Sequence, residues 1–271
     1  MKVPSLIHDP LLEVAYATAP RLTNSPASPP AHPCGVSPDT GIVYSQTMTS
    51  PWPDDIYTEP SADPDTLANL GPLRPIAGVW TTDAGVDEHP AAEGSEENQY
   101  VERIDLQPID PQTNGPQLFY GLRYHTHIVK PGEVETFHDQ VGYWLWEPAT
   151  KTVILMLAIP RAQVAMAGGT AEPDASQFEL RAERGSTTFG ICSGPFLERA
   201  FTTKEFRIRV TIHPDGRWSY EQVTELAIRG GDQLFRHRDR ATLRKIAEPS
   251  PNPLMAAPAA IAANQRLSVR T

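Results

Sequence analysis

Residues 118–160 read LFYGLRYHTHIVKPGEVETFHDQVGYWLWEPATKTVILMLAIP, and this run decides the fold. Aromatic and β-branched residues recur through it with a period close to two. That pattern suits pleated, half-buried strands rather than an amphipathic helix. Lys130-Pro131-Gly132-Glu133 breaks the run as a turn, which leaves strands at 118–129, 138–147 and 152–160. The same texture continues at 162–169, 177–183, 186–192, 204–213, 217–228 and 234–246. Pro214-Asp215-Gly216 marks a hairpin, and Gly168-Gly169 and Arg184-Gly185 mark further turns. The one short helix signal is Asp65–Leu70, running into Gly71-Pro72 as a stop. Nine or ten such strands in one unit of roughly 190 residues predict an all-β fold. With short hairpins between long strands, it is a roughly ten-stranded antiparallel up-and-down β-barrel. A barrel of that size leaves room inside for a small ligand.

Outside this unit the composition changes. Residues 1–70 hold 12 of the 28 prolines, with 8 acidic and 2 basic residues. Proline removes backbone donors and small polar residues bury little area, so this region has little with which to build a core. The expected organisation is a disordered or loosely packed Pro-rich tail over 1–55, a barrel domain over 56–248 and a C-terminal tail over 249–271. A net charge of −10 without a Lys/Arg cluster argues against nucleic acid as a partner. No apolar run approaches the ~20 residues of a membrane helix, and the N-terminus makes a poor signal peptide. Two cysteines do not make a disulfide framework, so the expected location is cytoplasmic.

The candidate chemistry rests on histidines. His8, His32 and His89 fall in tail or loop, and His213 precedes a turn. His125 and His127 share one strand face. A hairpin through Pro131-Gly132 pairs residues whose numbers sum to about 265, which sets His127 opposite His138. The three imidazoles then either gather as a metal site or serve packing, bonded to backbone or to Asp139. A cupin-like site is disfavoured, because Glu133 lies in the turn. No G-x-S-x-G element or phosphate loop is present, and Cys192, ending a strand, reads as a small buried hydrophobe. The acids Glu102, Asp105, Asp139, Glu205, Glu221 and Glu225 read as solvated strand faces.

Residues 70–90, LGPLRPIAGVWTTDAGVDEHP, carry Gly78-Val79-Trp80 at the opening of the first strand. With ENQYVERIDLQPID (97–110), FHDQVGYWLWEPAT (137–150), IPRAQVAMAGG (159–169) and FRHRDRATLRKI (235–246), this resembles the nitrobindin-like heme-binding β-barrels. That family was formerly grouped as fatty-acid-binding-protein-like domains, and the likeness is to a bacterial branch of it. The resemblance covers about Tyr57–Pro253. It implies a ten-stranded barrel holding ferric heme b, with nitric oxide or reactive nitrogen species as its reactants and peroxynitrite isomerisation as the activity if it is an enzyme. It also implies a small-molecule ligand and a homodimer in some members, while the lack of a long apolar run gives no membrane partner. His237 is the residue nearest the family's proximal iron-ligand position, and His138 corresponds to the distal histidine. Trp80 and Gly78 join them as candidate cofactor-binding residues, although a Trp so placed also serves to plug a barrel end.

Two departures stand out. Thr82 occupies the middle glycine of the signature. An ungapped count back from Leu243–Ile246 puts Arg238 at the ligand position, and a one-residue bulge is needed to restore His237. Otherwise His237 is an edge histidine beside Arg236, Arg238 and Arg240. The alternative function is therefore a non-heme carrier of a fatty acid or another apolar small molecule.

Overall fold

Long strands made of alternating core and surface residues build most of the described part of the chain. The computed structural model describes residues 51–251. A short helix α1 (Thr66–Asn69) is capped by the Asp65 carboxylate, which accepts from Ala68 N at 3.1 Å. A 3-10 turn at Gly71–Ile76 follows, entered through Gly71 at φ 53°. Then come β1 (Gly78–Ala91), β2 (Gly94–Pro108), β3 (Gln112–Asn114), β4 (Gln117–Val129), β5 (Thr136–Glu147) and β6 (Thr152–Ile159). They are followed by β7 (Gln163–Thr170), β8 (Gln177–Arg184), β9 (Gly190–Ser193), helix α2 (Pro195–Ala200), β10 (Phe201–Ile212), β11 (Trp218–Ile228) and β12 (Leu234–Ala247).

The sheet order is β2-β1-β12-β11-β10-β8-β9-β7-β6-β5-β4, and β2 pairs with β4 to close the ring. The result is a closed barrel of eleven strands, with β3 folded onto β4 as a short extension. The expected all-β barrel is what forms, with one departure from strict up-and-down pairing. The stretch 186–192, read as a hairpin strand, yields only β9, which runs parallel to β8. Gly185 at φ 88° and the Ser186 hydroxyl, which accepts from Thr188 N and Phe189 N, fold residues 185–189 into a compact loop. That loop brings the chain back alongside β8 instead of antiparallel to it. Cys192 in β9 is exposed rather than buried.

Bulges in β1 and in the β4–β5 hairpin decide which of their side chains face inward. In β1, Thr82 pairs with Glu102 and Gly85 with Tyr100, so β1 carries one extra residue between them. Trp80 and Thr82 point into the barrel before the bulge, and Gly85 and Asp87 after it. Gly85 is required at that point, because an added Cβ would lie 1.9 Å from the Tyr100 ring. In the β4–β5 hairpin, Val129 pairs with Thr136 but Ile128 with His138, which leaves Phe137 as the extra residue.

The core runs through the barrel and under the N-terminal segment. Leu70, Leu73, Ile76 and Trp80 are all fully buried. Trp80 Nε1 donates to Ile76 O at 2.7 Å, and its ring meets Trp218 edge-on at 6.1 Å. Residues 51–55, assigned above to the tail, reach the barrel: Trp52 Nε1 donates to Glu147 Oε1 at 3.0 Å. Residues 1–50, with His8, His32 and Cys34, and residues 252–271 lie outside the described residues. No described helix is long and apolar enough to cross a membrane.

Candidate functional site: an amphipathic barrel cavity

The barrel encloses a cavity of ≈ 480 Å³, within the ~300–1,000 Å³ usual for small-molecule sites. Its two sides differ in chemistry. Trp144, Leu155, Leu157, Phe206 and Ile208, from β5, β6 and β10, make an apolar wall. The adjacent strands β2, β1, β12 and β11 contribute Glu102, Asp87, His89, His237, Asp239 and Gln222.

His237 reaches the cavity along an unbroken stretch of β12; the extra residue of that strand against β1, Ile246, lies beyond Leu243. The β11–β12 ladder is unbroken from Trp218↔Leu243 to Ala227↔Leu234. Leu243 and Ala241 are buried, so alternation places Asp239 and His237 on the same inner face. Arg238 lies on the outer face, 3.8 Å from Glu88, and Arg236 and Arg240 pair outside with Glu225 and Glu97. The three arginines are thus an exposed charged strand, not a lining of the cavity.

The His237 ring is held by carboxylates. Its Nε2 donates to Asp87 Oδ1 at 2.6 Å and lies 3.6 Å from Asp239 Oδ2. The other Asp87 oxygen accepts from His89 Nδ1 at 2.5 Å. Burial alone would lower the His237 pKa, but the Asp87 hydrogen bond and the two carboxylate charges outweigh it and raise it. Asp87 is likewise buried, yet the hydrogen bond and charge of His237 hold its carboxyl below the usual range. Burial raises Asp239 to about 7, with the His237 charge opposing and the Asp87 charge reinforcing the shift. Gln222 Nε2 donates to Asp239 Oδ2 at 3.0 Å.

Deeper in, Glu102 is 1% exposed. Tyr220 OH donates to its Oε2 at 3.0 Å, and the Tyr100 and Tyr220 hydroxyls lie 2.8 Å apart. Burial pushes the Glu102 carboxyl up to about 8, which favours the neutral acid. Its assignment to a solvated strand face is therefore corrected. It alternates with Tyr100, Ile104 and Leu106, all buried.

His138 lines the cavity from β5. Burial lowers its pKa, so the ring is a neutral imidazole. Its contact to Gln140 Oε1 is long, at 3.4 Å, and Gln140 Nε2 donates to Tyr124 OH at 2.7 Å. The expected grouping of His125, His127 and His138 does not form. The Phe137 bulge shifts the register by one, so His127 pairs with Asp139 and His138 with Ile128. A one-residue shift exchanges the faces. His125 and His127 are left outside, where His125 Nε2 donates to Asp139 Oδ2 at 2.8 Å.

Trp80 and Gly78 are not among the residues lining the cavity. Gly78, at φ 128°, lets β1 approach β12: an added Cβ would sit 2.7 Å from Ala247 O. Asp87, His89 and Asp239 were not singled out by the sequence reading. Asp239 carried a usable signal, since it alternates with the apolar Ala241 and Leu243. Asp87 had none, because the β1 bulge inverts its parity, and His89, assigned to tail or loop, lies in β1.

Fold and cavity together define a small-ligand-binding β-barrel. A family model described as THAP4-like, heme-binding beta-barrel domain matches residues 69–245, and the chain belongs to this family. Among solved structures, the crystal structure of Rv2717c from M. tuberculosis is similar at 19% sequence identity and a TM-score of 0.45. The match covers 67% of this chain and 98% of that one. The comparison with curated proteins gives no match.

Proposed function

We propose that the barrel binds heme b and that His138 presents the imidazole to its iron. The observation that carries this reading is the contrast between the two inward histidines. An axial ligand has to be neutral and free at one nitrogen. His138 is neutral and only loosely bonded, whereas His237 is turned into carboxylates and favours its protonated form. The proximal and distal roles implied by the resemblance are thereby exchanged. The rest of the donor set suits the group. The apolar wall of Trp144, Leu155 and Leu157 offers a face for a flat ring. Arg161, also in the lining, offers a cation for a propionate. Bound there, heme would supply a ferric centre for nitric oxide or a related reactive nitrogen species. The protein would orient it and exclude water from its apolar side.

Hemin titration followed at the Soret band tests the proposal. His138→Ala is expected to weaken hemin binding by more than about tenfold, and His237→Ala to leave the band position unchanged. The opposite outcome returns the iron to His237. The second reading, a non-heme carrier of an apolar molecule, is favoured by the extent of the apolar wall. It takes over if no Soret shift develops and native mass spectrometry of the protein as isolated shows a recurrent lipid mass.

The Trp218 ring lies in the cavity wall, 2% exposed, and its Nε1 is the one buried side-chain donor without a partner among the described residues. An orphaned buried donor costs about 1–3 kcal/mol. Trp218→Phe is therefore expected to leave the unfolding midpoint of the ligand-free barrel unchanged or slightly raised. A fall of more than about 2 kcal/mol in stability would show that packing of the larger ring dominates.

A further inference from the structure

We infer that Asp87, His237 and Asp239, with His89 beside them, form a binding site for a first-row divalent metal ion, separate from any heme ligand. One ligand atom from each of Asp87, His237 and Asp239 lies within 4.8 Å of the others. A cation placed among them can reach all three at bonding distances of about 2.0–2.2 Å after small side-chain rotations. The three come from two neighbouring strands, with Asp87 on β1 and the other two at alternate positions of β12, so the backbone fixes their spacing.

Three further observations turn this from a set of charges into a site. The cluster is built around an imidazole, and Asp87 bonds two of them at once: His237 on Oδ1 and His89 on Oδ2, with the rings 6.4 Å apart. Asp87 is nearly fully buried and Asp239 mostly so, and imidazoles are the charged partners they have among the described residues. Among the described residues, no arginine or lysine forms an ion pair with either carboxylate. Gln222, donating to Asp239 from β11, acts as the outer partner that orients a metal-bound carboxylate.

The donor set selects the ion. One or two imidazoles with two carboxylates, and no thiolate, suit Zn²⁺, Fe²⁺, Mn²⁺ or Co²⁺ over Mg²⁺ or Ca²⁺. All four side chains line the cavity, so the remaining coordination positions face the interior, where water or an oxygen of a bound ligand can take them.

The inference does not depend on the heme reading, and its test leaves His138 untouched. Metal-free protein prepared with a chelator is titrated with Co²⁺ and followed by its visible d–d absorption, and with Zn²⁺ by calorimetry. One ion per chain is expected. His237→Gln and Asp87→Asn should weaken it by more than about tenfold, since losing even an outer partner costs about 10–100-fold. His125→Gln/His127→Gln, which removes the exposed pair on the outer face, should leave binding intact. Where a variant at Asp87 fails to fold, the wild type still decides: Co²⁺ should raise its unfolding midpoint. Absence of both bands and heat at millimolar metal overturns the inference. So does binding that survives in His237→Gln and is lost in the outer-face double variant.

Discussion

Trp80→Ala is expected to lower the stability of the barrel by about 3–5 kcal/mol, more than any single histidine substitution. Trp80 is fully buried, and its indole ties three parts of the chain together. Its Nε1 bonds the last carbonyl of the 3-10 turn, at Ile76. Its ring packs edge-on against Trp218 of β11, and Lys245 of β12 lies over it at 5.1 Å. Truncation removes the largest side chain of this junction and leaves Ile76 O without its partner. The barrel has closely fixed strands on either side and cannot collapse into the void. Chemical denaturation should show a lowered midpoint with an unchanged slope. The thermal midpoint should fall by on the order of 10 °C. A Trp80→Ala protein with the wild-type midpoint but impaired ligand binding would place Trp80 in the ligand contact instead.

The fold was legible because strand patterning is local. Tyr120, Leu122 and Tyr124 alternate on β4, and Trp144 and Trp146 on β5, with no bulge between them to disturb the parity. The inner face of β12 was readable in the same way, from Leu243 and Ala241 back to His237. The rest of the site was hidden by single extra residues. The Phe137 bulge displaced the His127–His138 pairing by one and broke up the expected histidine group. The bulge between Thr82 and Gly85 inverts the inner face of β1 and hides Asp87, and His89, expected in tail or loop, lies within β1 instead. Neither bulge has a composition cue strong enough to place it from one sequence. Glu102 failed for a different reason. Its position among Tyr100, Ile104 and Leu106 was readable, but acidic side chains are so seldom buried that the usual expectation prevailed.

The second large effect concerns that residue. In metal-free protein, Glu102→Gln is expected to be more stable than the wild type at pH 8 by a few kcal/mol, and equal to it near pH 4. The folded carboxyl has its pKa pushed up to about 8 by burial, against 4.5 for the ordinary group. Below about pH 4.5 both folded and unfolded chains hold the proton, and the residue contributes no pH dependence. Between that point and about pH 8 the folded chain keeps a proton that the unfolded chain has released. Wild-type stability therefore falls with rising pH through this window, by about 1.4 kcal/mol per unit from this group alone. Above it both forms are ionised and the loss stops growing. Glutamine keeps the shape and the oxygen that accepts from Tyr220, but has no proton to lose, so the variant escapes this slope. Subtracting one pH–stability curve from the other cancels the titrations common to both. A difference that is flat from pH 5 to 8 would mean that Glu102 is ionised in the folded barrel. The Tyr220–Tyr100 chain would then be stabilising a buried carboxylate rather than positioning a neutral acid at the cavity wall.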